Sequence, residues 1–527
     1  MAPEKEDKLA SELTRREFLA ATGKLTGAVA AGTILGAAES APAAAASALP
    51  DLVKLDALDL SKAIHSKQVS CREVMQTFLG HIERFNPRVN AIVSLQPRDS
   101  LLKQAEERDA QLARGESLGW MHGFPHAVKD LAATRGIRTS GGSPLVDGIP
   151  TEDEIFVERL RKNGVVLIGK TNVPEFGLGS QSYNPVFGAV GNAYDPTKTS
   201  GGSSGGASVS MALRMLPVAD GSDMMGSLRN PAAFNNVIGF RPSCGRVPAG
   251  PSKEVFLEQL STDGPMGRSI RDVAALLSVM AGPDPRAPRA LDDNPQLFLR
   301  PLERDFKGVR IAWLGDLGGH LPFEPGVLDL CKSSFKSFES LGCRVEEARF
   351  DFSPQLLWRT WLTLRHWLIS NHLGAFYADP AKRAQLKPEA QWEVEGGLRL
   401  TAAGVYQALE ARSAFYAALI KLFETYEYLL LPSAQVFPFD VNVHWPKSIN
   451  GVSMDTYHRW MEVVVPGTLS GCPVINVPVG FGPAGLPMGM QIIGRNHADF
   501  AVLQLAFAYE QATQWVQRNP PPLLESA

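Results

Sequence analysis

Residues 199–208 read Thr199-Ser200-Gly201-Gly202-Ser203-Ser204-Gly205-Gly206-Ala207-Ser208, and four readings compete for this run. A flexible Gly/Ser linker is the plainest, but strand-like and helix-like patterns flank the run too closely for a free tether. A phosphate-binding loop would follow its glycines with Gly-Lys-Ser or Gly-Lys-Thr, and that sequence is missing here. A nucleophile elbow, Gly-x-Ser-x-Gly, fits twice, on Ser203 and on Ser204. It would make the chain an α/β-hydrolase, an esterase with a histidine downstream. His320, His366, His372, His444, His458 and His497 all follow, but none stands in a distinctive setting. The fourth reading needs a wider pattern.

That pattern begins upstream, at Gly119-Trp-Met-His-Gly-Phe-Pro-His-Ala-Val-Lys-Asp130. Lys129 closes an apolar, strand-like run from Phe124, an odd place for a solvated lysine. Ser203 lies 74 residues beyond it, and Ser227 another 24. Ser227 sits in Gly221-Ser-Asp-Met-Met-Gly-Ser-Leu-Arg-Asn-Pro231, at a strand-to-helix junction where unpaired backbone N–H groups point outward. Taken singly, Lys129 reads as a snorkelling surface lysine and Ser227 as a helix cap. The three together suggest a site.

Short apolar runs around this region read as buried strands: Phe124–Lys129, Val165–Gly169, Leu216–Ala219 and Val237–Phe240. A helical pattern over Glu154–Asn163 stops at Gly164. Before them, Ser70-Cys-Arg-Glu73 is a capping box that opens an amphipathic helix, expected to end before Pro87. A charged helix follows over about 97–114. Later, Val309–Trp313 and Cys343–Glu346 read as strands around a helix near Pro325–Leu341. A long helix over about Gly404–Tyr426 precedes strand Tyr428–Leu431. Strands Val474–Val479 and Met488–Ile493 precede a last helix, Ala498–Thr513. Strand and helix in alternation predict an α/β sheet with helices on its faces.

The whole set resembles the amidase signature family. The resemblance rests on Gly-Gly-Ser-Ser-Gly-Gly, on Gly221-Ser-Asp-x-x-Gly-Ser-Leu-Arg-x-Pro-Ala-Ala-Phe234 and on Gly239-Phe-Arg-Pro-Ser-x-Gly-Arg-Val247. Ile168-Gly-Lys-Thr-Asn172, Asp263-Gly-Pro-Met-Gly-Arg268 and Gly482-Pro-Ala-Gly-Leu-Pro-x-Gly-x-Gln-Ile492 fit as well. It covers about 51–514 and is weakest over about 290–440, the segment expected to recognise substrate. The fold it implies is a large mixed, mostly parallel-type sheet covered by helices on both faces. It makes 49–527 one amidase domain with a catalytic core over about 119–250.

The resemblance implies hydrolysis of a carboxylic amide C–N bond through an acyl-enzyme on Ser227. Ser203 would bridge to the base Lys129, and no metal or organic cofactor is called for. A serine hydroxyl needs a base beside it, and a lysine serves only as the neutral amine, which burial favours. The family's cis peptide bond would fall at Gly202–Ser203. Backbone N–H groups of Met224, Met225, Gly226 and Ser227 would form the oxyanion hole. Asp223 and Arg229 would hold that loop in shape, and Ser204 would support the glycine run. Met225 departs from the family, which usually has glycine there. Either its backbone is strained at positive φ, or its backbone is ordinary and its side chain narrows the acyl pocket; the second is the expectation. Asn192-Ala193 replaces the more usual Asn-Pro. The amide class stays open at this stage: aliphatic, aryl, anilide, peptide C-terminal or cyclic, with esters as plausible side substrates.

The N-terminus reads as an address. Thr14-Arg-Arg-Glu-Phe-Leu19 precedes a weakly apolar run from Leu25 to Ala38 and then Ala46-Ser-Ala48. This resembles a bacterial twin-arginine signal with an Ala-x-Ala cleavage site, which would make residues 1–48 the signal and the enzyme periplasmic or secreted. The run is short for a membrane span. The family's tRNA-dependent amidation subunit is cytoplasmic, and export argues against that role. The net charge of −3 over 527 residues gives nucleic acid no electrostatic footing. The expected partner is a small amide, with no membrane span in the mature chain; a homodimer is left open, as is an exported solute-binding protein holding its ligand in the glycine loop.

Two compositional features fit this picture. The five cysteines contain no Cys-x-x-Cys, which speaks against a zinc ribbon. Of 48 glycines, 21 fall within 119–250, where backbone must approach closely. Trp358, Trp361, Trp367 and Trp392 crowd the variable segment, either as ordinary helix packing or as an apolar pocket wall.

Overall fold

The computed structural model describes residues 51–525; the signal read over 1–48 lies outside them. Two sheets organise the chain. The smaller has three strands, β1 (Ile92–Val93), β2 (Pro125–Lys129) and β3 (Val166–Thr171), in the order β1-β3-β2. The larger has eight: β4 (Ala219–Asp223), β5 (Ile238–Arg241), β6 (Thr262–Gly267), β7 (Arg310–Trp313), β8 (Arg344–Glu347), β9 (Tyr428–Pro432) and, after the small hairpin β10 (Ser448–Ile449) and β11 (Val452–Ser453), β12 (Val474–Phe481) and β13 (Pro487–Ile493). Its order is β4-β6-β5-β12-β13-β9-β7-β8.

The α/β class and the mixed sheet are as expected, but the parallel bias is not. Only β7–β8 and β7–β9 pair in parallel in the large sheet; its other neighbours are antiparallel. A helix between consecutive strands gives parallel pairing only where the two strands end up adjacent, as with β2 and β3 around helix Ile155–Lys162. β6 inserts antiparallel between β4 and β5. β12 and β13 are joined by a short turn, which forces antiparallel pairing.

Several helices carry the argument below: α1 (Cys71–Val89), α2 (Gly205–Ala212), α3 (Arg229–Phe234), α4 (Pro354–Ala378), α5 (Pro388–Leu398), α6 (Ala402–Thr425) and α7 (Asp499–Thr513). The Ser70–Glu73 capping box opens α1 in both directions. The helix does not stop before Pro87 but carries it in its last turn and closes on Asn90 in the left-handed conformation. So near the end, the proline costs little ladder. The helix expected over 325–341 is two, Val327–Ser333 and Phe335–Ser340, separated at Ser334, whose hydroxyl bonds back to the Cys331 carbonyl at 2.6 Å. The strand expected over 216–219 begins only at Ala219; Leu216 and Val218 are buried without joining the ladder. The five cysteines are free, four of them buried.

What positions the site is the meeting of the two sheets. β2 ends at Lys129 in the small sheet, β4 ends at Asp223 at the edge of the large one, and the two strands pack together. α2 starts directly after Ser204 and α3 directly after Leu228. Both serine loops therefore open at the same seam.

Candidate active site

Lys129 is 1% exposed. Its Nζ lies 2.8 Å from both Ser203 Oγ and Ser204 Oγ, 2.9 Å from Ser222 Oγ and 3.2 Å from the Ser222 carbonyl. Burial strips the ammonium of water and pulls its pKa down to about 7, against the opposing pull of Asp263, Asp223 and Asp220. A good fraction of this lysine is therefore neutral at neutral pH.

The peptide bond Gly202–Ser203 is cis. Ser204 donates its backbone N–H to the Ser227 carbonyl at 3.2 Å, tying the two serine loops together. Gly206 shows why the run needs glycine: a Cβ there would stand 2.4 Å from both the Ala91 carbonyl and the Asn172 nitrogen. Ser203 Oγ reaches Lys129, but the second link of the expected relay is not a hydrogen bond in this structure. Ser227 Oγ has no protein partner among the described residues and faces the cavity described below.

The loop before Ser227 is fixed from beneath by Asp223. Its carboxylate accepts from the Gly226 N–H at 2.8 Å, the Leu228 N–H at 3.1 Å and the Arg229 guanidinium at 2.9 Å through both Nε and Nη2. Arg241 adds a contact at 3.3 Å. Burial alone would raise this carboxyl's pKa; the two arginines overcome that and hold it far below the usual range. Asp223 also corrects one expectation. The Gly226 N–H, expected in the oxyanion hole, is turned onto the carboxylate by a φ of +78°. Met224, Met225 and Ser227 keep N–H groups without protein partners among the described residues. Met225 is not in the left-handed region; its backbone is ordinary, and its side chain lines the cavity.

Three residues beside Lys129 were not singled out from sequence. Ser222 supplies a third hydroxyl. Asp220 Oδ2 accepts the Lys129 backbone N–H at 3.0 Å, and its Oδ1 bonds His126 Nε2 at 2.9 Å, all fully buried. Strand period could have found two of them: Asp220 and Ser222 are two apart on β4 and share a face, the one toward β2.

Lys129, Ser203 and Ser227 open on one cavity of about 540 Å³. Leu131, Phe176, Leu178, Ile369 and Leu373 give it apolar walls, and Asp263 and Glu154 an acidic side. Burial pushes the carboxyl pKa of Glu154 up to about 8 and that of Asp263 upward too. The variable segment reaches the cavity through Arg365, Ile369, His372 and Leu373 of α4. Its tryptophans pack instead: Trp358, Trp361 and Trp392 surround His458. None of the histidines weighed for an esterase bonds Ser203 or Ser204. Among the described residues no three His, Cys, Asp or Glu side chains are placed to hold a metal ion, and no helix is long and apolar enough to cross a membrane.

Residues 73–503 match the family model described as Amidase. The chain is 31% identical over 471 residues to an acylamidase of Rhodococcus erythropolis, covering 88% of this chain and 97% of that protein. It is 31% identical over 484 residues to a glutamyl-tRNA(Gln) amidotransferase subunit of Thermosynechococcus vestitus, covering 88% and 98%. Among solved structures it resembles a bacterial aryl acylamidase of the amidase signature enzymes, with TM-score 0.83, 26% identity and coverage of 90% and 99%. The fold is also that of 6-aminohexanoate cyclic dimer hydrolase, at TM-score 0.78 and 23% identity.

Proposed function

The chain belongs to the amidase signature family of amide hydrolases, and we propose that it cleaves amides through Ser227, Ser203 and Lys129. The observation that carries this reading is the wholly buried Lys129 amine, ringed by serine hydroxyls, with its pKa drawn down to about 7. A neutral amine has two N–H groups and one lone pair. Ser204 already offers its hydroxyl to the Ser222 carbonyl at 3.3 Å, which leaves the hydroxyls of Ser203 and Ser222 to donate to the lone pair; Ser203 takes the relay because the family pattern sets it between Lys129 and Ser227.

In this mechanism, Ser227 Oγ attacks the amide carbonyl and loses its proton to Ser203, whose own proton passes to Lys129. The carbonyl oxygen becomes an oxyanion facing the unpartnered N–H groups of Met224, Met225 and Ser227. The C–N bond breaks as the proton returns through Ser203 to the leaving nitrogen, releasing ammonia or an amine. Water, deprotonated along the same route, then splits the acyl ester and frees Ser227 and a carboxylate. The Ser203–Ser227 link would close when substrate fills the cavity; catalytic hydrogen bonds are often long in unliganded sites.

The apolar walls around Phe176, Leu178, Ile369, Leu373 and Met225 favour an apolar acyl or aryl group, in keeping with the acylamidase and aryl acylamidase relatives. A fluorophosphonate probe followed by mass spectrometry tests the chemistry. It should label Ser227 and leave Ser227→Ala unlabelled; labelling at Ser203 or Ser204 instead would restore the esterase reading. Export belongs to the same proposal and is supported by Arg15 and Arg16 ahead of the Ala-rich run. Cell fractionation should find the enzyme outside the cytoplasm, and replacing both arginines by lysine should retain it inside.

A further inference from the structure

Arg365 carries unspent chemistry in the cavity. It lies on α4, 4% exposed, on the same cavity wall system as Ser227. Its Nε donates to Glu393 Oε1 at 2.6 Å and its Nη2 to the Tyr457 hydroxyl at 2.7 Å. Its Nη1 meets only the Met224 thioether, at 3.2 Å. A guanidinium offers five N–H donors and sulfur is a weak acceptor, so this arm is poorly matched for a group so buried.

The rest of the group is braced from behind. Tyr457 donates to Glu393 Oε1 at 2.6 Å, and His366 Nδ1 bonds Glu393 Oε2 at 2.7 Å. Glu393 therefore neutralises Arg365 and fixes its direction. His458 lines the same cavity; its buried Nε2 has no hydrogen-bond partner and lies 4.0 Å from Glu393 Oε1, and burial, against the pull of Glu393, brings its pKa down to about 3, so the ring is neutral. Along α4, Ile369 and Leu373 follow on the same face as apolar lining. Arg365 is thus a fixed donor beside the apolar Ile369 and Leu373, with His372 the other polar α4 residue that lines the cavity. Met224 ties it to the chemistry: its backbone N–H faces the proposed oxyanion position while its sulfur touches the guanidinium.

We propose that Arg365 Nη1, displacing the Met224 sulfur, binds a second carbonyl oxygen on the acyl chain of the substrate. The substrate class is then amides whose acyl part carries a neutral acceptor, an ester or a further amide, roughly one methionine side chain from the scissile carbon. A neutral carbonyl suits the site because Glu393 has already balanced the arginine's charge. This rests on the amidase mechanism proposed above.

The test is a series of p-nitroanilides of equal chain length: one plain alkanoyl, the others with one carbonyl moved along the chain, and one ending in a carboxylate. One carbonyl position should raise kcat/KM about 10-fold over the plain chain, the worth of one hydrogen bond to a charged donor. Arg365→Gln and Arg365→Lys should bring that ratio close to 1, since lysine keeps charge beside Glu393 but lacks the fork. A ratio retained in both variants, no preferred position in the wild-type enzyme, or a preference confined to the carboxylate would each overturn the proposal. The wild-type series decides it even if a variant does not fold. Wild-type enzyme that labels at Ser227 yet shows no preferred position loses only the subsite; absence of labelling removes the mechanism and the subsite with it.

Discussion

Asp220 holds the backbone of Lys129 across the seam between the two sheets: its Oδ2 accepts the Lys129 N–H at 3.0 Å, while Oδ1 bonds His126, earlier on the same strand as the lysine. The nucleophile strand thereby sets where the base strand ends. The Asp220 carboxylate also favours the charged form of the lysine. Asp220→Asn keeps the shape and an acceptor but removes the charge. The acid limb of kcat/KM should then move to lower pH, because Lys129 loses its proton more easily. A limb that stays in place, or moves up, would confine Asp220 to a structural role.

Lys129 must be neutral to take a proton, so activity in the wild-type enzyme should rise with pH through about 7, the value to which burial brings this amine. The kcat/KM profile reports this group in the free enzyme. Lys129→Ala should lose at least ~100-fold in kcat, the usual cost of removing a general base. Single-turnover acylation, followed by amine release, checks it; near-normal acylation would refute the lysine mechanism.

How much of this is legible in the sequence follows from how local each signal is. Lys129, Ser203 and Ser227 stand out because each ends or interrupts a local pattern, and the family resemblance, at its spacing, is what joins them into one expected site. The cis bond at Gly202–Ser203 follows from the family resemblance, whereas Met225 departs from it, and its ordinary backbone is read from the strain a methionine would carry at positive φ. Strand direction cannot be read, because β6 finds its place between β4 and β5 through pairing with both, which no local period encodes. The His126–Asp220 bond joins residues 94 apart. Arg365 is hidden by its surroundings: in a helix of tryptophans and leucines its two arginines, Arg359 and Arg365, both read as solvated, and only the fold shows Arg365 turned inward onto Glu393.

Met225 has an ordinary backbone and a cavity-lining side chain, so truncating it should widen the cavity without disturbing the loop. Met225→Ala keeps the backbone preference and is the cleaner variant; Met225→Gly adds freedom as well. In both, kcat/KM should shift toward longer or bulkier acyl groups by a few-fold per methylene accommodated, given about 0.8 kcal/mol for each CH₂ buried. An unchanged acyl-length profile in Met225→Ala would show that this side chain does not bound the acyl site.

Gly226 turns the nucleophile loop at φ +78°, and a Cβ there would lie 2.9 Å from Val464 Cγ2 and 3.0 Å from Cγ1. Gly226→Ala should therefore be strained twice, by its conformation and by a neighbour that is a branched side chain in the core. The Ser227 hydroxyl would shift, so kcat should fall at least ~10-fold with little change in KM. A variant with wild-type kcat would mean that the loop relaxes without moving its serine.

Arg229 links the loop to the centre of the large sheet. Beyond Asp223, its Nη1 donates to the Val464 carbonyl at 2.9 Å and to Gln491 Oε1 at 2.5 Å, and its Nη2 to Thr468 Oγ1 at 2.9 Å. Replacing it with methionine preserves bulk but takes the guanidinium from those acceptors and leaves Asp223 with Arg241 as its one adjacent cation, beside the Gly226 and Leu228 N–H groups. Breaking a buried pair from one side costs about 3–5 kcal/mol, and equilibrium urea unfolding should show a loss of that order. Arg229→Lys restores charge without the planar fork, so it should recover part of the stability while the N–H groups of Met224, Met225 and Ser227 remain less well aimed. Its signature is a reduced kcat in a protein that still folds. Full stability with full kcat in Arg229→Lys would show that charge alone, not the fork, holds the nucleophile loop.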